Sequence, residues 1–249
     1  MAIVIKTAKE VEKMRRAGEI VREVLEAVRA MVKPGVSTLE LENVAEKLIE
    51  ERGAKPAFKG YHGFPCVLCT SLNDQVVHGI PSAKTVLREG DILSVDCGAV
   101  IDGYYGDSAI TIPVGKVAPT TQRLLDVTQK SLERAIETVR PGAMLGDVGA
   151  AVQEMVEAEG FSVVKEFVGH GIGTRMHEDP QIPNFGQRGR GVRLREGMVL
   201  AIEPMVNAGG DAVRVLKDGW TAVTEDGSLS AHFEHTVAVT KDGAAILTL

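Results

Sequence analysis

Asp96 and Asp107 stand in DILSVDCGAVIDGYYGDSAITIP, residues 91–113, and their spacing gives that stretch a chemical use. Two apolar, β-branched runs flank Asp102-Gly103, a dipeptide suited to a two-residue type I′ hairpin loop. With that loop, Ile101 pairs with Tyr104 and Gly98 with Asp107. Asp96 lies two residues before Gly98 and shares its face. Asp107 is then diagonal to Asp96, roughly 5–8 Å away between Cβ atoms. Two ionised carboxylates at ~4 Å repel by roughly 4 kcal/mol at an effective dielectric of about 20. A cation or a shared proton is therefore expected between them.

The elements that position these acids recur along the chain. Thr7-Ala8-Lys9-Glu10 predicts a capping box opening a helix to about Met31, ended by Lys33-Pro34-Gly35. Ser37-Thr38-Leu39-Glu40 is a second box. It is followed by an apolar stripe at Leu41, Val44, Ala45, Leu48 and Ile49, closed at Gly53. A further helix is predicted from about Thr121 to Val139. Arg140-Pro141-Gly142 then repeats Lys33-Pro34-Gly35, 107 residues on (34 to 141). Val148, Ala151, Val152, Met155 and Val156 repeat the stripe, and LREGMVLAIE (194–203) repeats LREGDILSVD (87–96) at the same offset. The expected organisation is one catalytic domain over 1–249, an α/β (α+β) fold. Two helix–helix–strand units, about 7–112 and 119–240, would pair around a local two-fold axis and a central antiparallel sheet.

The repeat places Glu203 where the first unit has Asp96. A second acid, Glu234, lies in SAHFEHTVAVT, which alternates like a strand. Two histidines lie in FVGHGIGTRMHEDPQIPN (167–184), His170 between glycines and His177 seven residues later. Alone, each histidine reads as structural, and Asp96 and Asp107 as solvated strand acids. Four converging carboxylates with one imidazole read instead as a site for two divalent ions such as Mn, Fe, Co or Zn. Such ions activate water and polarise a carbonyl, so hydrolysis of an amide or ester is expected. No GxSxG elbow or HExxH helix occurs, and His177-Glu178 runs into Asp179-Pro180.

Composition narrows the partners. The 249 residues are 44% hydrophobic with net charge −6, enough for a sizeable core and unlike a protein whose main ligand is nucleic acid. No apolar run approaches the ~18–20 residues of a membrane span, and the opening segment lacks signal-peptide order. Three cysteines, Cys66, Cys69 and Cys97, read as reduced thiols, and a cytoplasmic protein is expected. Cys66-Val-Leu-Cys69 has neither the second pair of a zinc site nor the helix start of a redox motif. Lys6, Lys9, Lys13, Arg15 and Arg16 read as a solvated helix face.

Tyr61-His62-Gly63-Phe64-Pro65, Asn73, His78-Gly79-Ile80-Pro81 and the segments around Asp96, Asp107, His170, Glu203 and Glu234 together resemble type I methionine aminopeptidases, over essentially the whole chain. The resemblance implies the pita-bread fold and two divalent ions (Co, Mn, Fe, Zn or Ni). Asp107 and Glu234 would bridge the ions, Asp96 would chelate one, and His170 and Glu203 would complete the other. Glu203 would also shuttle the proton of the attacking water, His177 would stabilise the oxyanion and His78 would contact the substrate nitrogen. Tyr61, Phe64, Cys69 and Trp220 fall at positions resembling the methionine pocket. Phe58 and Met176 border it and depart from the family pattern, which has a small residue, often Cys, and an aromatic there. The resemblance further implies a monovalent cation near Asn73 and Ser230, N-terminal methionine peptides and nascent chains as substrates, a ribosome contact, and a monomer. The expected activity is removal of N-terminal methionine when the second residue is small. The alternatives are a proline-directed aminopeptidase of the same fold, which would carry a large N-terminal domain, and a metal-free binding protein on that fold, which would lack several ligands.

Overall fold

The structure, a computed structural model, describes residues 2–249. Helices α1 (Ala8–Met31) and α2 (Thr38–Glu51) open the chain. Strands β1 (Lys55–Pro56), β2 (Leu68–Leu72), β3 (Gln75–Val77), β4 (Ile92–Ile101) and β5 (Tyr104–Pro113) follow. Helices α3 (Pro119–Glu137) and α4 (Leu145–Ala158) come next. They lead into β6 (Ser162–Val163), β7 (Gly169–Gly171), β8 (Glu178–Ile182), β9 (Val199–Ile202) and β10 (Met205–Asn207). The last strands are β11 (Val213–Val215), β12 (Ala222–Thr224), β13 (Ser230–His232), β14 (Glu234–Thr240) and β15 (Gly243–Ile246).

Local chemistry accounts for the helix ends. Glu10 Oε2 accepts from the Thr7 backbone N–H at 2.7 Å, and Glu40 Oε2 from that of Ser37 at 2.8 Å, so both capping boxes close. The third helix starts two residues before the expected Thr121. Pro119 begins it with its ring already at a helical φ, and no side chain caps it. At α4 the Asp147 carboxylate accepts from the Met144 N–H at 2.9 Å. The turns after α1 and α3 close alike. Gly35 N–H donates to Leu87 O and Gly142 N–H to Leu194 O, both at 2.9 Å, and isolated bridges join Ser37 to Val86 and Met144 to Arg193.

One antiparallel sheet carries the molecule, in the order β1-β4-β5-β14-β9-β7-β8, with β2 also on β4 and β15 on β14. The β4–β5 hairpin has the register set by Asp102-Gly103, whose φ values of 52° and 78° are the left-handed pair of a type I′ turn. The neighbours β5 and β14 join the two halves. Period-two alternation divides the faces. Val95, Cys97 and Ala99 pack with Val21, Val24 and Leu41 of the first helix pair, and Leu200, Ile202 and Val237 pack with Leu132, Val148 and Val152 of the second. The opposite face carries a third cluster, with Phe58, Phe64, Met176 and Ala201, and Val76, Val164, Met205 and Ala222 form a smaller fourth. At Gly106 the first helix comes so close that a Cβ would lie 2.7 Å from Gly18 N.

Two expectations are corrected. Lys6 is not on a solvated face. It is buried, and its ammonium lies 2.7 Å from Glu178 Oε2 across the fold. SAHFEHTVAVT is not one strand either: it breaks at Phe233 between β13 and β14. All three cysteines are free, and no described helix is long and apolar enough to cross a membrane.

Candidate active site

The ladder registers bring the expected residues to one face. Across β4–β5, Asp96 pairs with Ala109 and Gly98 with Asp107. Across β5–β14, Ala109 pairs with Glu234. Across β14–β9, His235 pairs with Ile202, so the next position along brings Glu234 opposite Glu203. Across β7–β9, His170 pairs with Ala201. Paired residues share a face, as do residues two apart on a strand. Asp96, Asp107, Glu203, Glu234 and His170 therefore gather on the side of the sheet away from the helices. They line a cavity of about 220 Å³ together with Tyr61, His62, Phe64, Cys69, His78, His177 and Trp220, and with Phe58 and Met176. Every catalytic, metal-ligating and methionine-pocket residue named from the sequence thus lines one chamber, while Asn73 and Ser230, named for a monovalent cation, do not.

The spacing inside it is tight. His170 Nε2 is 3.8 Å from Asp107 Oδ2 and 3.7 Å from Glu203 Oε1. Asp96 and Asp107 lie close enough for each to act on the other's titration. The His177 ring stacks edge-on against His170, with centroids 4.2 Å apart, and its Nδ1 lies 2.7 Å from the Tyr61 hydroxyl. Phe64 meets Trp220 edge to face at 5.2 Å, and His78 meets Phe167 at 5.6 Å.

Burial sets the electrostatics. It pushes the carboxyls of Asp107, Glu203 and Glu234 well above the usual range. The neighbouring acids push further in the same direction, Glu234 and Asp96 on Asp107 and Glu203 on Glu234. Asp96 is raised to about 7, chiefly by burial. Burial, helped by His177, lowers His170 to about 3, so its close approach to the acids is not an ion pair at neutral pH. His78 is lowered to about 4 and His177 is also lowered, again chiefly by burial.

The donor set fits a divalent metal centre. Asp96 Oδ1, Asp107 Oδ1 and Glu234 Oε1 are buried with no hydrogen-bond partner among the described residues. Buried polar atoms are seldom left so, and a cation satisfies several at once. Asp107, His170 and Glu234 each offer a donor atom within 4.8 Å of the others. Hard oxygens with a neutral imidazole suit Mn, Fe, Co or Zn. A larger cleft of about 700 Å³ beside α3 and α4 is lined by exposed pairs such as Arg134 with Glu137 and Arg188 with Glu154, and gathers no comparable donors.

Sequence reasoning did not single out two residues of this region. His232 is buried beside Glu203, and its position two residues before Glu234 was the available signal. Glu178 holds the loop that carries His177. Its Oε1 accepts from the Thr174 N–H at 2.9 Å and the Arg175 N–H at 3.2 Å, while Lys6 takes Oε2. No sequence pattern announced that pair.

Comparison with known proteins agrees with this geometry. The model of metallopeptidase family M24 matches residues 12–241. Methionine aminopeptidase 1 of Bacillus subtilis is 51% identical over 246 residues, covering 99% of each chain. The methionine aminopeptidase of Escherichia coli K12 is 49% identical over 250 residues, covering 100% of this chain and 95% of that one. The crystal structure of the Thermotoga maritima methionine aminopeptidase superposes with a TM-score of 0.98 at 51% identity, covering 99% of each chain. The Pyrococcus furiosus prolidase shares the fold at a TM-score of 0.77 and 26% identity, but only 65% of its chain is covered. The mixed α/β architecture is the pita-bread fold of these enzymes. This chain, a metal-dependent hydrolase, belongs to metallopeptidase family M24 and, within it, to the methionine aminopeptidases.

Proposed function

We propose that this chain removes the N-terminal methionine from peptides and nascent proteins whose second residue is small. The observation that carries this reading is one small chamber in which buried acids from both halves of the sheet adjoin an apolar lining of Phe58, Phe64, Cys69, Met176 and Trp220. An unbranched thioether packs well against aromatic rings and sulfur. The catalytic unit is read as the whole of 1–249.

In this reading Asp96, Asp107, His170, Glu203 and Glu234 would hold two divalent ions. When bound, such ions lower the pKa of water towards neutrality and act as Lewis acids on a carbonyl. Glu203 takes the proton of the attacking water and delivers it to the departing amine. His177 donates its Nε2–H to the substrate carbonyl as negative charge develops there. The Tyr61 hydroxyl at Nδ1 favours the tautomer with the proton on Nε2. His78, neutral because it is buried, makes a hydrogen bond beside the scissile peptide. The free α-amine is held next to the acids, and the small volume of the chamber limits the second residue.

The enzyme is further read as a cytoplasmic monomer that meets its substrates at the ribosome. A monovalent cation is proposed near Asn73 and Ser230, where Ser230 N–H donates to Asn73 O at 2.9 Å and ties the halves together. The test is methionine release from Met-Ala-Ser, Met-Leu-Ser and Ala-Pro-Ser peptides with Co or Mn present. Rapid cleavage of the first alone supports the reading. Comparable rates on the first two refute the size limit, and preferred cleavage of the third favours a proline-directed enzyme.

A further inference from the structure

His232 has no role in the mechanism above, yet it faces the same acids. β13 ends on it and β14 starts at Glu234, two residues later. The side chain is buried, and Nε2 has no hydrogen-bond partner among the described residues. Its backbone is fixed from both sides: the N–H donates to Thr111 Oγ1 at 2.9 Å, and Thr111 Oγ1 donates to the carbonyl at 2.8 Å.

The distances are specific. His232 Nε2 lies 3.7 Å from Glu203 Oε2, and His170 Nε2 lies 3.7 Å from Glu203 Oε1. Glu203 thus stands between two imidazoles, one on each oxygen. A separation of 3.7 Å is too long for a hydrogen bond. It is the separation of two ligands on one ion, since donors about 2.1 Å from a common metal stand roughly 3–4 Å apart. Glu203, His232 and Glu234 each offer a donor atom within 4.8 Å of the others, as Asp107, His170 and Glu234 do. Glu234 belongs to both groups, and its Oε1 is also without a partner among the described residues.

We propose that His232 is a metal ligand, joining Glu203 and Glu234 at the divalent cation that His170 also approaches. The added imidazole selects a cation that accepts nitrogen, of the class of Zn, Co, Mn or Fe, over Mg or Ca. This rests on the reading that the buried acids hold divalent ions, and adds to it a second nitrogen that the reading does not require.

The test uses the full chain labelled with ¹⁵N-histidine, stripped of metal and titrated with Zn²⁺. The His232 Nε2 resonance is assigned through its own backbone correlations, so the unaltered protein decides the matter even if a variant fails to fold. The expected result is that the His170 and His232 resonances both move to metal-bound positions. In a parallel calorimetric titration, His232→Gln should weaken one Zn²⁺ binding event by about tenfold or more, with its melting curve reporting that it is folded. A His232 resonance that stays in place while that of His170 moves, or superimposable isotherms for the folded variant, overturns the proposal and leaves the ring a mere neighbour of Glu203. If neither resonance moves, the reading of the acids as a metal centre fails first.

Discussion

The Lys6 ammonium meets Glu178 Oε2 at 2.7 Å, with side chains only 3% and 1% exposed. The other oxygen of Glu178 anchors the backbone of Thr174 and Arg175, so an ion pair between the N-terminal segment and β8 fixes the loop that presents His177. Replacing one partner strands a buried charge, at a cost of roughly 3–5 kcal/mol. Lys6→Met is expected to lower the melting temperature by about 10 °C. It should also lower kcat more than it raises KM, because the loop loses its anchor while the apolar lining stays. Lys6→Met combined with Glu178→Gln should recover part of the stability, since no unpaired charge is left. Thermal melts and steady-state kinetics on the two variants check this.

The Tyr61–His177 contact gives a finer test. His177→Ala should cost about 10²–10³ in kcat, the usual effect of losing one donor to a developing oxyanion. Tyr61→Phe removes only the group that orients the imidazole. It should lower kcat in the same direction by a smaller factor and leave the melting temperature unchanged. An unaltered kcat in Tyr61→Phe would show that the hydroxyl does not set the tautomer.

Metal removal should reverse the pH dependence of stability. In the metal-free chain Asp96, Asp107, Glu203 and Glu234 have raised pKa values, with Asp96 at about 7. Between the ordinary carboxylate range and those values, these four groups bind more protons in the folded chain than in the unfolded one, so their contribution falls as pH rises. The buried histidines, lowered by burial, oppose it up to about pH 6.5, where the unfolded chain has lost their protons. After chelation the protein should melt lower at about pH 8 than at about pH 7, a window in which the histidines are neutral in both states. A bound divalent ion replaces the protons, and its affinity grows with pH. Melts repeated with Mn or Zn present should lose the decline or invert it. A chelated protein that grows more stable from about pH 7 to pH 8 would contradict the electrostatics of the site.

Gly98 and Phe58 should act as one unit in shaping the pocket. A Cβ on Gly98 would lie 2.7 Å from Phe58 Cε1. Gly98→Ala must therefore move the ring, which lines the same cavity as Asp96 and Asp107. KM for Met-Ala peptides should rise by roughly tenfold, the effect of about 1.4 kcal/mol. Adding Phe58→Ala should cancel the part of that rise carried by the ring, leaving the 2.9 Å approach to Ala57 Cβ. Additive effects of the two substitutions would show that the ring does not transmit the change.

Much of this site was legible because its controlling features are local. A two-residue loop at Asp102-Gly103 determines the hairpin register, and with it the shared face of Asp96 and Asp107. The capping boxes at Thr7 and Ser37 mark helix starts through contacts within four residues. Lys6 was misread for the converse reason. Its partner is 172 residues away, and charge spacing along a helix carries no trace of it. His232 escaped notice because the break at Phe233 interrupts the alternation that exposes Glu234 as a strand acid.

The central claim is that acids distant in sequence jointly hold divalent ions on one face of the sheet. Its most direct measurement is the metal content of stripped protein after reloading with Mn or Co and exhaustive dialysis, for the unaltered chain and for Asp107→Asn. A neutral amide at position 107 removes one of the negative charges that would balance a divalent cation there. The account predicts bound metal and methionine release in the first sample, and loss of both in folded Asp107→Asn. Full metal retention and near-normal turnover in the variant would contradict it.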